Sequence, residues 1–258
     1  MSSTPQSGLL TEIQIRPLRG PDDFHKAEEV QIETWGFGDR DLVPAAMFAV
    51  ARNFGGQALG AFDGERMVGF ALSFGAVEDG KAHFHSHMAA VVPGYRSRGL
   101  GRRLKMAQRE DALRRGIDTI MWTFDPLQAR NAYFNLVLLG GLGVRYVDDL
   151  YGKTSSPLHG GIPTDRLAVR WDLLSSRVVD ALAGNPHRVT DDAKRVTVPL
   201  ASDSVPLVDR LSAQQALRSQ LLTFFQQGYT VTGFKQDMDE PSYLLQKIEM
   251  PDGATNEN

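Results

Sequence analysis

The residues whose types and spacing point most clearly to chemistry lie in one stretch of the chain, 84–115. The pattern predicts an apolar strand over Phe84–Val92, a turn, and a helix over Leu100–Arg115, where apolar residues recur at helical spacing. Gly99 and Gly101 carry no Cβ atoms, so an anion can approach the unpaired amides at the helix start. Positive charge flanks them at Arg96, Arg98, Arg102 and Arg103. The stretch predicts a pyrophosphate cradle; the alternative is a surface turn with solvated arginines.

Three histidines alternate along the predicted strand: His83, His85 and His87. Alternate residues of a strand share one face, and a histidine titrates near neutral pH, so these side chains are candidates for a general base. Metal binding is the weaker interpretation, because this spacing spreads the rings over about 13 Å and no carboxylate cluster accompanies them. The plain alternative is a set of hydrogen-bonded strand histidines without a catalytic role. We expect no metal.

The run from Val91 to Gly101, Val-Val-Pro-Gly-Tyr-Arg-Ser-Arg-Gly-Leu-Gly, resembles motif A of the GNAT superfamily of acyl-CoA-dependent N-acyltransferases. That motif reads R/Q-x-x-G-x-G/A after a strand that ends near Val-x-Pro. The resemblance covers about residues 11–173, and the run from His85 to Gly152, with Thr123-Phe124-Asp125-Pro126, looks like a poorly characterised branch of the superfamily. It implies an acetyl-CoA-dependent N-acetyltransferase in which the amine attacks the thioester directly within a ternary complex.

The resemblance also implies which residues hold the cofactor. Backbone groups at a bulge in the central strand hold the pantetheine arm, the turn holds the pyrophosphate, and an asparagine on a later helix bonds the arm. In this sequence the corresponding cofactor-binding residues are Val91, Val92, Arg96, Ser97, Arg98, Gly99, Leu100, Gly101, Arg102 and Asn131.

Catalytic residues follow from the same resemblance. Some family members place a carboxylate base six residues before the motif's first valine, which falls on His85 here, and His87 is the second candidate. The acid that protonates the departing thiolate is a helix tyrosine, for which Tyr133 is the candidate and a core aromatic is the alternative. The helix departs from the family pattern, since anchoring on Gly140 puts Leu136 at that position. Asp125 is expected to be an N-cap residue rather than a catalytic one.

The fold class expected is α/β (α+β): a mixed, mostly antiparallel GNAT-like sheet flanked by helices, with a C-terminal αβ extension. Residues 1–10 read as a disordered tail and 11–175 as the acyl-CoA-binding domain. Residues 176–258 read as a strand, a helix that Ser212 caps, and a hairpin. This order echoes residues 119–172, which fits either a duplicated half-unit or an unrelated appendage.

Composition limits the remaining classes. The 258 residues include no cysteine and carry a net charge of −3, which excludes disulfides and thiolate sites and gives no global basic footprint for nucleic acid. No signal peptide and no apolar run of about 18 residues are present, so we expect a cytoplasmic protein without a membrane partner. The expected partner is a small-molecule or peptide amine, and both monomer and homodimer remain open. The alternative function is a non-catalytic acyl-CoA-binding or sensing module.

Overall fold

A computed structural model describes residues 13–38, 41–152, 161–198, 206–237 and 240–249. These residues contain six α-helices: α1 Pro21–Trp35, α2 Ala45–Asn53, α3 Leu100–Arg114, α4 Ala129–Tyr133, α5 Ser176–Leu182 and α6 Leu207–Gln226. The strands are β1 Gln14–Pro17, β2 Gln57–Asp63, β3 Arg66–Glu78, β4 Lys81–Val91, β5 Thr119–Phe124, β6 Leu142–Val147, β7 Arg166–Asp172, β8 Lys194–Thr197, β9 Thr230–Lys235 and β10 Ser242–Gln246. No helix of the described residues is long and apolar enough to cross a membrane.

The strands form one ten-stranded sheet in the order β1-β2-β3-β4-β5-β7-β6-β9-β10-β8. Every neighbouring pair is antiparallel except β4 and β5, which run parallel. The predicted α/β class with a mixed, mostly antiparallel sheet flanked by helices is therefore confirmed. The parallel pair falls at the centre of the sheet, and the glycine-bearing turn follows its first strand, β4.

The N-terminal half of the sheet is built from two hairpins, for which the dipeptides Asp63-Gly64 and Asp79-Gly80 are the turn signals in the sequence. Gly64 has a φ of +58° between β2 and β3, and Asp79 and Gly80 have φ values of +50° and +73° between β3 and β4. Positive φ at these central positions matches the twist of antiparallel strands, which explains the short turns. The hairpins bring β4 to the middle of the sheet.

Two hydrophobic clusters flank the parallel pair. The first lies under β1 to β4 and packs Phe48 edge-on against Phe70 at 5.3 Å between ring centroids. The second joins β5 to β10 with α4, α5 and α6, and packs Trp122 edge-on against Trp171 at 5.8 Å. The buried core therefore divides close to the β4–β5 pair.

The C-terminal extension continues the same sheet, because β9 pairs with β6 and then with β10. Its helix α6 buries Leu217, Leu221 and Phe225 in the second cluster. The predicted N-cap was wrong: Ser212 lies inside α6, which begins at Leu207, and its hydroxyl donates to the carbonyl of Val208 at 2.9 Å. The predicted tail over residues 1–10 lies outside the described residues. Where a domain boundary falls stays a prediction.

A buried carboxylate joins α6 to the main part of the sheet. Asp165 is fully buried and accepts from Nε and Nη2 of Arg218 at 2.8 and 2.6 Å. It also accepts from the hydroxyl of Tyr146 at 2.6 Å and from the amide of Asp149 at 3.1 Å. Burial and the hydrogen bond to Asp165 raise the pKa of Tyr146, so the phenol remains a donor.

Arg218→Met should lower the free energy of unfolding by about 2–4 kcal/mol, because it leaves the Asp165 carboxylate buried without its cation. The exposed pair Arg66–Glu33 supplies the control, since Arg66→Met should cost no more than about 1 kcal/mol. Urea unfolding measures both variants. Adding Asp165→Asn to Arg218→Met should restore part of the loss. An Arg218→Met cost no larger than that of Arg66→Met would contradict the role given to this contact.

Candidate active site

An open cleft of about 1130 Å³ lies beside the central strands. Its walls come from the connection between α1 and α2, the second half of β4, the N-terminus of α3, the end of β5 and the helix α4. These elements lie far apart in the sequence and meet only because β4 is central in the sheet.

The cleft opens because β4 and β5 pair over only two positions, Phe84 with Ile120 and His85 with Met121. Beyond these positions the ladder ends, and residues of both strands line the cleft instead. His87 begins the β4 wall.

A register shift between β3 and β4 marks the same place. Ser73 pairs with Ser86 and Leu72 with Met88, so His87 is the extra residue of a bulge. The predicted bulge at Val91 and Val92 was wrong. Bulges re-aim side chains and interrupt pairing, which fits a histidine turned toward an opening.

The N-terminus of α3 forms the anion-binding end of the cleft. The first helical bond runs from the amide of Arg103 to the carbonyl of Gly99 at 3.1 Å, and no side chain caps this end. The amides of Leu100, Gly101 and Arg102 therefore have no acceptor in the helix, and all three residues line the cleft. The predicted cradle has the geometry of an anion site.

The turn before α3 depends on two left-handed residues, Ser97 at φ +63° and Gly99 at φ +75°. Left-handed backbone beside right-handed backbone turns successive amides toward one point, which favours anions. Ser97 is strained there, and its hydroxyl accepts from Nη2 of Arg130 at 2.8 Å, which ties the turn to α4. A Cβ on Gly99 or Gly101 would meet no protein atom within 4 Å, so the space beside them is free for a ligand.

The predicted arginines serve mainly to hold the walls together. Nε of Arg96 donates to the carbonyl of Val91 at 3.0 Å, and its Nη2 donates to that of Thr34 at 3.2 Å. Arg102 donates to the carbonyl of Leu182 at 2.5 Å. Both arginines line the cleft and add positive charge beside the free amides.

Two predicted cofactor residues do not line the cleft. Arg98 lies over the ring of Tyr95 at 5.6 Å. Val92 has a fully buried side chain, and its amide donates to the carbonyl of Val68 at 3.1 Å, so that amide is already paired. Val91, Ser97 and the other predicted cofactor residues do line it, including Asn131.

Of the two candidate bases, His87 lines the cleft and His85 does not. Their ring centroids are 6.4 Å apart, and the ring of Phe74 lies 5.8 Å from that of His87. Desolvation lowers the pKa of both histidines, and for His85 the neighbouring charges of His87, His83 and Lys105 add to the effect. A neutral imidazole at pH 7 can accept a proton, so His87 is the better-placed base.

The candidate acid Tyr133 packs against the second hydrophobic cluster instead of facing the cleft. A π-helical turn over Phe134–Leu138 follows α4 directly. In this turn the amide of Leu139 reaches the carbonyl of Phe134 at 3.0 Å, five residues back, so the helix gains a residue. This segment therefore departs from a regular α-helix, and Phe134 and Asn131 line the cleft wall.

The cleft wall also includes aromatic and charged residues outside the motif. Trp35 stacks on Phe37 at 5.0 Å between ring centroids, and both line the cleft, while Trp35 also packs on the first hydrophobic cluster with its ring 6.3 Å from that of Phe70. Tyr151 and Arg166 come from the region around β7 and were not predicted. The predicted N-cap role of Asp125 was wrong, because α4 begins at Ala129 with Gln128 at its N-cap position. The carboxylate of Asp125, also on the cleft wall, accepts from the amide of Leu127 at 2.9 Å within the turn before α4.

A buried polar network lies behind β4 and was also missed. Nζ of Lys105 donates to the hydroxyl of Ser86 at 2.9 Å and lies 3.9 Å from the ring centroid of Trp122. The amide of Gln108 donates to the hydroxyls of Ser73 and Ser86 at 2.6 and 3.1 Å. Complete burial lowers the pKa of Lys105 to about 7. The sequence predicted no role for Lys105, because a lysine is rarely buried without a carboxylate partner.

Within the described ranges, no group of three or more histidine, aspartate or glutamate side chains could hold a metal ion. His85 and His87 have neighbouring rings, but no carboxylate completes a ligand set with them. The cleft wall offers anion binding at the α3 amides and proton transfer at His87.

Comparison with known proteins agrees with this geometry. Residues 22–135 match the family model of the acetyltransferase (GNAT) family. That match, on a fold that carries the motif at the start of α3, identifies the chain as carrying a GNAT acetyltransferase domain, and the predicted resemblance and acyltransferase class are confirmed.

Solved structures show the same fold. The chain is 18% identical to the ribosomal-protein-S18-alanine N-acetyltransferase from Escherichia coli, over 64% of this chain and 96% of that one, with a TM-score of 0.51. It is 17% identical to a putative GNAT acetyltransferase from Desulfovibrio desulfuricans, over 63% and 99% of the two chains, with a TM-score of 0.50. These identities establish the fold and leave the substrate open. No curated protein matches the chain.

Lys105→Met should remove a pH dependence from the stability of the protein. The folded-state pKa of about 7 lies below the ordinary 10.5, so the unfolded chain binds the proton more tightly between these values. The destabilising effect of the buried amine is full below about pH 7 and fades as the pH rises. The stability of the parent relative to Lys105→Met should therefore increase by about 2–5 kcal/mol from pH 7 to 10.

Urea unfolding at several pH values measures this difference. The exposed Lys194 provides the control, because Lys194→Met should leave the slope of stability against pH unchanged. Equal slopes for the parent and Lys105→Met would show that the amine is not held in a desolvated site.

Proposed function

We propose that the protein is an acetyl-CoA-dependent N-acetyltransferase whose amine acceptor attacks the thioester directly. One observation carries the proposal: the unpaired amides of Leu100, Gly101 and Arg102 face a cleft that starts where β4 and β5 part. A diphosphate fits the amides, and an extended thiol-bearing arm fits the gap between the strands. Residues 22–135, which match the GNAT family model, include both the N-terminus of α3 and the gap between β4 and β5.

The anion site should work mainly through backbone groups. Three amides and the dipole of the 15-residue helix α3 attract a diphosphate, and charge-assisted bonds of this kind are roughly twice as strong as neutral ones. Arg96 and Arg102 add charge while their hydrogen bonds hold the walls at a fixed distance. Asn131 on α4 offers an amide to the arm from the other side.

Proton transfer completes the reaction. An alkyl amine with a pKa of about 10.4 is about one part in a thousand neutral at pH 7, so a base accelerates its attack. His87 accepts that proton as the amine nitrogen bonds to the carbonyl carbon and the carbon–sulfur bond breaks. The departing thiolate takes a proton from the resulting imidazolium or from water, since Tyr133 packs away from the cleft. His85 lies beside His87, with 6.4 Å between the ring centroids, and adds a second imidazole next to the base.

The position of Tyr133 also favours the second candidate, a non-catalytic acyl-CoA-binding module. Both candidates require coenzyme A to bind, and only the enzyme releases the free thiol when an amine is added. Thiol release from acetyl-CoA, measured with a panel of amino acids, small amines and short peptides, separates them. Binding without turnover for every class of amine would favour the module.

Gly101→Val should weaken coenzyme A binding by at least about tenfold without harming the fold. Its side chain would enter the free space beside the amides, where no protein atom lies within 4 Å. Gly94→Val is the matched control, because Gly94 also has open space around it, has no positive φ, and does not line the cleft. Calorimetric titration with coenzyme A measures the affinity, and thermal melting checks the fold. Unchanged affinity in Gly101→Val would overturn the proposed anion site.

His87→Gln should lower kcat/KM by about 10²–10⁴-fold, whereas His85→Gln should have a smaller effect. The neutral imidazole is the active form and its pKa is lowered from 6.5, so parent activity should fall only as the pH drops below that value. The activity of His87→Gln should no longer fall in this way at low pH. Thiol release across pH 5–9 measures it, and a profile shared by His87→Gln and the parent would remove His87 from the mechanism.

A further inference from the structure

The end of the cleft formed by β7 contains a cation that none of the preceding chemistry uses. Arg166 is the first residue of β7, pairs with Val147 of β6, and lines the cleft beside Tyr151. It belongs to a different wall from the anion site of α3, which follows β4. A second positive charge at this position needs a separate explanation.

Arg166 is half-buried, and none of its contacts within the described residues is with a carboxylate. Nη1 donates to the carbonyl of Asp165 at 3.2 Å, and the guanidinium lies 5.3 Å from the ring centroid of Tyr151. Neighbouring carboxylates have other partners, since Asp165 binds Arg218 and Asp149 accepts from Thr164. A partly desolvated guanidinium without a counter-charge is costly unless an anion completes it.

The loop that follows Tyr151 offers no counter-charge in its sequence. Residues 153–160 read Lys-Thr-Ser-Ser-Pro-Leu-His-Gly and include no aspartate or glutamate. The anion that pairs with Arg166 is therefore not supplied by this loop.

The arrangement also orients the guanidinium. The contact with the Tyr151 ring and the bond from Nη1 to the Asp165 carbonyl restrain the side chain, and Nε and Nη2 have no hydrogen-bond partner among the described residues. A planar guanidinium held in this way binds a carboxylate through two parallel hydrogen bonds. Trp35 and Phe37, which stack on each other and line the same cleft, offer an apolar surface to the remainder of a small molecule.

We propose that Arg166 binds the carboxylate of the acceptor, and that the acceptor is therefore an amino acid or another small molecule with both an amine and a carboxylate. This inference rests on the proposed acetyl transfer, because it places the amine of the same molecule at the thioester. Asp165 is the positioning residue, since its carbonyl holds the Arg166 side chain. Arg218 of α6 fixes Asp165 in turn, so the C-terminal extension supports the acceptor end of the cleft.

The test compares each amino acid with its own amide, which keeps the amine and side chain and removes the negative charge. The parent should acetylate the acid with a kcat/KM at least about tenfold higher than the amide, an effect that a single ion pair of about 1.4 kcal/mol supplies. Arg166→Gln should lose that preference by raising KM for the acid, with little change for the amide. Arg166→Lys should restore it in part.

Arg145→Gln is the matched control, because Arg145 is exposed on β6, pairs with Glu78 at 3.8 Å, and does not line the cleft. Calorimetric titration with coenzyme A distinguishes the two proposals: Arg166→Gln should bind it as the parent does. Equal use of acid and amide by the parent, or equal losses for both in Arg166→Gln, overturns the acceptor class.

If coenzyme A binds but no amine is acetylated, direct titration of amino acids into the coenzyme A complex decides the matter. Binding that Arg166→Gln abolishes supports the carboxylate site even though the acetyl transfer has failed. Absence of amino acid binding to the parent overturns the site.

Discussion

The separation of β4 from β5 is the constraint on which the rest of the structure depends. Two strands that begin as a parallel pair part after two positions, and the gap exposes backbone and side chains that a continuous sheet would bury. The bulge at His87 falls at this point and turns the histidine to the opening. Helix α3 then starts just beyond the end of β4, so its free amides face the same space. Base and anion site thus share one structural cause.

An opened sheet loses ladder hydrogen bonds, and other contacts hold it together. Arg96 joins the end of β4 to the last turn of α1, and Arg102 reaches the carbonyl of Leu182 in α5. The buried guanidinium of Arg177 donates to the carbonyls of Leu136, Gly140 and Thr232, which satisfies groups around the π-helical turn. Burial lowers the pKa of Arg177 to about 10, so it stays charged at neutral pH. The C-terminal extension is therefore part of the cleft's support.

The sequence predicted the parts whose signals are local. The turns at Gly64 and Gly80 and the start of α3 at Leu100 have short-range causes, and the structure agrees with them. The bulge was predicted at Val91 and Val92 but lies at His87. Its position depends on how β4 pairs with β3, which the periodicity of one strand does not record. Tyr133 was predicted to face the cleft from a family pattern that does not align fully with this helix. The π-helical turn that follows Tyr133 has no local signal in the sequence. Lys105 and Arg166 were missed because burial and missing counter-charges exist only in three dimensions.

The two cationic regions of the cleft differ in how their hydrogen bonds are used. The arginines near α3 donate to main-chain carbonyls, so their charge attracts an anion from a distance while backbone amides make the specific contacts. Replacing one of them changes the wall as well as the charge. Arg166 is held by one carbonyl and one ring, which orients the group without using up its donors. That difference makes the α3 end suited to a large, highly charged cofactor, and the β7 end suited to a small carboxylate whose exact placement decides which amine reaches the thioester.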